Sequence, residues 1–100
     1  TEWEGFVTAT QAAAAGGITT LIDMPLNSHP VTVDVEALKA KRSSAMGKCW
    51  VDVGFYGGLV PGKTDCLPAL IDAGILGVKS FLCDSGLAEF PATTRVELDA

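Results

Sequence analysis

Residues 77–86 read Gly77-Val78-Lys79-Ser80-Phe81-Leu82-Cys83-Asp84-Ser85-Gly86, an apolar strand pattern interrupted by one lysine and running into a glycine-marked loop. Period-two alternation sets Val78, Ser80 and Leu82 on one face and Lys79, Phe81 and Cys83 on the other. A strand covered on both faces would carry that amine into the protein. Burying an ammonium is costly unless it is paired, deprotonated or covalently changed, and a neutral amine is a nucleophile or a base. Lys79 is therefore a candidate for chemistry. The competing reading is a snorkelling lysine at a sheet edge, or one paired with an acidic neighbour such as Asp84.

Working outward, two similar strands precede this one. Ile18-Thr19-Thr20-Leu21-Ile22-Asp23-Met24 is β-branched and apolar and is stopped by Pro25, and a second strand is expected over about Cys49 to Phe55. Helical patterns alternate with them. Thr1-Glu2-Trp3-Glu4 has the form of a capping box, and Trp3, Phe6, Val7, Thr10 and Ala14 recur at helical spacing until Gly16-Gly17. After a loop from Leu26 to Val31, Thr32 or Asp34 can cap a helix through Glu36, Leu38, Lys41 and Ala45 to Gly47. Thr64 or Asp65 starts a shorter helix with Leu67, Leu70 and Ile71 inward and Gly74 at its end, and another begins near Thr93 or Thr94. Strands expected over 18–24, 49–55 and 77–83 are thus about thirty residues apart, the length of one βα unit. Parallel strands joined by helices fit a (β/α)8 barrel or a doubly wound sheet. Three strands cannot close a barrel, so residues 1–100 read as about three βα units cut from a larger domain, a partial (β/α)8 barrel or part of a doubly wound sheet.

Composition bounds the function. Seven basic against twelve acidic side chains give a formal net charge of −5, which argues against a nucleic-acid surface. Hydrophobic residues make up 48% and mean hydropathy is +0.33, in keeping with strands covered on both faces. No apolar run reaches the roughly 18 residues of a membrane span, and no secretory leader pattern is seen. The three cysteines, Cys49, Cys66 and Cys83, are odd in number and lack C-x-x-C spacing, so a reducing, cytoplasmic home without disulfides or a thiolate zinc site is expected.

The sharpest decoy is Gly57-Gly58-Leu59-Val60-Pro61-Gly62-Lys63-Thr64, which matches the G-x-x-x-x-G-K-[ST] phosphate loop letter for letter. Pro61 removes a backbone donor from a loop whose work is to aim N–H groups at phosphate, and Pro68 weakens the following helix. The acidic strand end at Asp23 also precedes the loop, where the usual order is the reverse. Lys63 then reads as a solvated loop lysine, and nucleotide binding stands as the rival from another class. His29, the single histidine, reads as a polar loop residue. Asp23 and Asp52 read first as capping or hydrogen-bonding groups and second as carboxylates facing a barrel mouth. Asn27 is a turn residue that can also grip a substrate carbonyl, and Cys83 and Ser85 lie beyond Lys79 at the same edge.

Four blocks taken together carry a resemblance: Thr1 to Phe6, Ala12 to Ser28, Val51 to Gly62, and Gly77 to Leu82. In this order and at these separations they resemble the allantoinases, which belong with dihydroorotases and hydantoinases in the metal-dependent amidohydrolase superfamily. The resemblance covers nearly the whole chain and implies a (β/α)8-barrel catalytic domain. It implies that Lys79 corresponds to the lysine that takes up carbon dioxide and, as N6-carboxylysine, bridges two divalent metal ions, usually zinc. Carboxylation replaces a buried cation with an anion that the metals neutralise, so the burial problem is met by the chemistry of the site.

The implied reaction is hydrolysis of a cyclic amide, allantoin to allantoate, by a metal-activated water. The implied partner is a small cyclic ureide, with no nucleic acid or membrane, and the full-length protein is expected to be a homo-oligomer. The family's His-x-His pair would precede Thr1, and its later histidines and aspartate would follow Ala100, so no catalytic residue is expected in this chain and it is expected to be inactive alone. Asn27 lies near a substrate-binding asparagine of related dihydroorotases. Asp84 and Ser85 stand where hydantoinases tend to have a tyrosine, which favours an allantoinase; the alternative within the class is a hydantoinase or dihydropyrimidinase, or a non-catalytic relative that keeps the barrel and loses the metals.

Overall fold

The computed structural model describes residues 5–26, 28 and 30–99. The expected capping box at Thr1 to Glu4 lies outside these residues. Seven elements follow in order: α1 (Phe6–Ala15), β1 (Thr20–Asp23), α2 (Val35–Ala45), β2 (Asp52–Gly58), α3 (Leu67–Asp72), β3 (Gly77–Lys79) and α4 (Arg95–Leu98), with a 3-10 turn at Thr64–Cys66 before α3. The strands form one parallel sheet in the order β1-β2-β3. Strand neighbours in space are neighbours in sequence, and a helix crosses over between each pair, as in consecutive units of a (β/α)8 barrel.

Helix boundaries follow local chemistry. Helix α1 closes with the amide of Ile18 donating to Ala13 O at 2.9 Å and that of Gly17 to Ala14 O at 3.0 Å, a Schellman pair that requires Gly17 at φ +85°. In α2 the Asp34 carboxylate accepts from Ala37 N at 2.9 Å, so Asp34 rather than Thr32 is the cap. Helix α4 begins at Thr94, whose amide donates to the Glu97 carboxylate at 2.9 Å.

The register divides the sheet into two faces. Leu21, Asp23, Val53, Phe55, Gly57 and Val78 share one; Thr20, Ile22, Asp52, Gly54, Tyr56, Gly58, Gly77 and Lys79 share the other. Helices cover the first face. There Leu38, Ala45, Phe55 and Leu70 are buried together, with Phe6, Val53 and Ile75 packed against them and the Phe6 ring edge-on to Phe55 at 6.3 Å. No helix among the described residues covers the second face: Ile22, Met24 and Leu76 are exposed, as are Ile18 before the sheet and Val78 at its β3 edge, while Phe90 and Val33 from the loops close over it at Gly58. No helix among the described residues is long and apolar enough to cross a membrane.

Three boundaries differ from the expected ones. Strand β1 is Thr20–Asp23, shorter than 18–24 at both ends. Strand β2 runs over Asp52–Gly58, so Gly57 and Gly58 belong to a strand rather than to a loop. Both are needed where packing is closest: a Cβ on Gly57 would meet Ile75 Cδ1 at 3.0 Å, and one on Gly58 would meet Phe90 Cε2 at 2.5 Å. Strand β3 stops at Lys79 instead of 83, because the Phe81 carbonyl is turned away to accept from Thr93 N at 2.6 Å and Thr93 Oγ1 at 3.1 Å. Ile71, expected inward, is 60% exposed, since the six-residue α3 turns Leu70 to the sheet.

Candidate functional site

Two loops converge on the C-terminal end of β2. The segment after β1 returns through Thr32, whose amide donates to Pro25 O at 3.0 Å and whose carbonyl accepts from Gly58 N at 2.7 Å. The segment after β3 folds back so that Phe90 is fully buried beside Val31, Val33 and Val60, with Leu26 and Phe81 packed against them. An apolar plug thus fixes both loops at the sheet edge where functional groups of parallel α/β proteins gather.

Lys79 is the last residue of β3, opposite Gly58, and its carbonyl accepts from Leu59 N at 2.9 Å. Its Nζ lies 5.4 Å from the centroid of the Phe81 ring, which is itself edge-on to Phe90 at 5.6 Å. Among the described residues no carboxylate lies within ion-pair distance of this amine. The Asp84 carboxylate instead accepts from Gly86 N at 2.8 Å. Lys79 is half-buried, because β3 is paired with β2 alone.

The other expected site residues fare differently. Ser85 Oγ donates to Phe90 O at 2.6 Å and accepts from Leu87 N at 3.2 Å, so its hydroxyl shapes the loop after β3. Cys83 is an exposed free thiol on that loop. Asn27 and His29 lie outside the described residues. Asp23 does not face the open side of the sheet: it shares the helix-covered face with Phe55 and has Lys41 Nζ at 2.6 Å. Asp52 is at the opposite, N-terminal end of its strand from Lys79's partner Gly58 and is exposed.

The phosphate-loop pattern does not form an anion cradle. Gly58 N and Leu59 N are taken by Thr32 O and Lys79 O, and Lys63 N donates to Val60 O at 3.1 Å. Lys63 Nζ meets Asp34 Oδ2 at 3.4 Å, and the helix that should receive the phosphate is a 3-10 turn followed by six α-helical residues.

Residues whose roles the sequence did not disclose include Phe90, the plug of the loop after β3, Thr93, read only as a helix start and found as the clamp of that loop, and Lys41, placed only on a helix face. A lysine in line with Leu38 and Ala45 was the available signal for the last. Among the described residues no cluster of three or more His, Cys, Asp or Glu is placed to hold a metal ion.

No family model matches the chain. Curated relatives do. It is 56% identical over 101 residues to the probable allantoinase of Oryza sativa subsp. japonica, covering 98% of this chain and 20% of that protein. With the allantoinase of Arabidopsis thaliana identity is 59% over 95 residues, covering 92% and 19%. With that of Saccharomyces cerevisiae it is 55% over 91 residues, covering 91% and 20%. Among solved structures, the L-hydantoinase (dihydropyrimidinase) from Arthrobacter aurescens superposes with a TM-score of 0.87 at 38% identity, over 93% of this chain and 20% of that one. The chain therefore spans about one fifth of the length of the relatives it matches. Likeness of sequence along nearly all its length, joined to the likeness of its α/β units, makes this chain a homologue of the allantoinases within the cyclic amidohydrolase family.

Proposed function

We propose that the protein to which this chain corresponds hydrolyses a cyclic ureide, opening allantoin to allantoate, and that Lys79 in its carboxylated form bridges two divalent metal ions, zinc being the expected metal. The observation that carries this reading is the position of Lys79: a half-buried amine at the C-terminal end of a parallel strand, on the face that the helices leave open, with no carboxylate pairing it among the described residues. Such an amine fits the role, because uptake of carbon dioxide turns it into a carboxylate donor where none stands ready. Bound divalent ions would supply Lewis-acid polarisation of the ring amide.

This chain's own residues would hold and orient. Lys79, carboxylated, would hold the metals from a backbone whose carbonyl accepts from Leu59 N. Phe81, backed by Phe90, walls the amine on one side. Asn27 and Cys83 are the loop groups proposed to meet the substrate, while Ser85 serves by holding the Phe90 carbonyl. Allantoin is preferred to a hydantoin because identity reaches 59% with an allantoinase and 38% with the hydantoinase. The test is to offer the full-length protein allantoin, hydantoin and dihydrouracil in parallel and follow ring opening. Preferential opening of allantoin is expected; preference for either other ring, or no opening of any, would overturn the reading.

A further inference from the structure

Lys41 is an almost fully buried cation on a helix, 8% exposed, and the mechanism above makes no use of it. Its Nζ reaches across to β1, where it donates to Met24 O at 3.0 Å and lies 2.6 Å from Asp23 Oδ2. The Asp23 oxygen is itself buried and has no aligned hydrogen bond, so the approach is a charge contact and the amine's directed bond goes to the Met24 carbonyl. Met24 is where the chain leaves the sheet. Its carbonyl would otherwise be an unpaired acceptor at the root of the loop between β1 and α2, and Pro25, which follows it, has no N–H to give. The loop beyond is then closed by two backbone bonds in series, Thr32 N to Pro25 O and Gly58 N to Thr32 O, the second landing on the residue opposite Lys79. A helix-borne ammonium is thus wired through one turn of loop to the strand end that carries the candidate site.

We propose that Lys41 is a positioning residue: by gripping both the Asp23 carboxylate and the Met24 carbonyl it sets the course of the loop between β1 and α2 over the ring-binding end of the sheet. Its effect on substrate rests on the ring-opening activity proposed above; its effect on the loop does not.

The experiment uses the full-length protein. Lys41→Met alone leaves the buried Asp23 Oδ2 without its counter-charge and can destabilise the protein, so it is paired with Asp23→Asn/Lys41→Met, which carries no orphaned charge, and with Lys41→Arg, which keeps a donor. In the double variant, exchange of the Thr32 and Gly58 amides is expected to quicken by roughly tenfold, the value of about one charge-assisted hydrogen bond, while the helix amides of Leu38 and Ala45 hold their rates. KM for allantoin is expected to rise by about the same factor with kcat changed less than about twofold, and Lys41→Arg is expected to restore most of both. Unchanged exchange at Thr32 and Gly58 would overturn the proposal outright. Faster exchange with an unmoved KM would overturn its extension to substrate. If the parent protein opens no ring, the functional reading fails, and the exchange rates alone decide the role of Lys41.

Discussion

Gly58 and Lys79 are partners in the parallel ladder, and the absence of a side chain on the first is what lets the loop that follows the second fold back. A Cβ at Gly58 would stand 2.5 Å from Phe90 Cε2, 3.0 Å from Phe90 Cζ and 3.1 Å from Val33 Cγ1. Phe90 is fully buried, so its ring can yield only against the close-packed neighbours around it.

Gly58→Ala is accordingly expected to cost about 1–3 kcal/mol by overpacking. Because Phe90 presses on Phe81, and Phe81 faces the Lys79 amine, the strain is expected to pass to the site. Thermal unfolding of the full-length protein measures the first effect, and metal content of the folded variant the second. A variant with unchanged melting temperature and metal content would show that the loop after β3 is not held by this contact.

Phe90→Ala removes the plug from the opposite direction. A fully buried phenylalanine replaced by alanine loses about 3–5 kcal/mol, and the loss here releases two loops at once. Limited proteolysis is expected to find new cuts both near Leu26 to Val31 and near Leu82 to Glu89. Cuts confined to one of the two segments would argue against a shared anchor.

How far the sequence led can be judged from particular residues. Alternation of apolar strands with amphipathic helices was readable because parallel strands are buried by helices and leave a period and a punctuation, Pro25 and Gly74 among them. The cap at Asp34 was one of two candidates, and only the bond to Ala37 decides between it and Thr32. Gly57 and Gly58 misled, since glycine signals a loop locally and close packing only in three dimensions. The placing of Lys79 beside Phe81 was anticipated from strand alternation, yet it arises after the strand has ended, through the Thr93 clamp on the Phe81 carbonyl. Lys41 was visible as a lysine in line with Leu38 and Ala45, but its partners Met24 and Asp23 lie seventeen and eighteen residues back and across an element boundary, where no local pattern reaches.

Asp34 and Lys63 separate the two readings of the phosphate-loop motif. Asp34→Ala is expected to cost about 1 kcal/mol through loss of the helix cap. Lys63→Ala breaks only a 3.4 Å ion pair between partly exposed side chains and is expected to cost no more than about 1 kcal/mol and to leave ring opening unchanged. Titration with ATP or GTP is expected to give no saturable signal in either protein. Nucleotide binding that vanishes in Lys63→Ala would reverse the assignment.

Lys79→Ala tests the amine itself, and its outcome can be read without assuming the substrate. If the carboxylated amine is a metal ligand, its removal strips a first donor. The loss should then exceed the roughly 10–100-fold that deleting an outer-shell partner of a metal ligand costs. Elemental analysis of the purified full-length variant is expected to show metal falling together with activity, while the melting transition stays cooperative, because Lys79 is half-buried and makes no ion pair among the described residues. Adding a short carboxylic acid to the alanine variant supplies the missing carboxylate from solution and is expected to restore part of the metal content. Lys79→Arg, which keeps a cation but cannot take up carbon dioxide in the same way, is expected to remain metal-poor. Full metal content in Lys79→Arg would mean that charge or bulk at this position suffices, and that no carbamate is formed there.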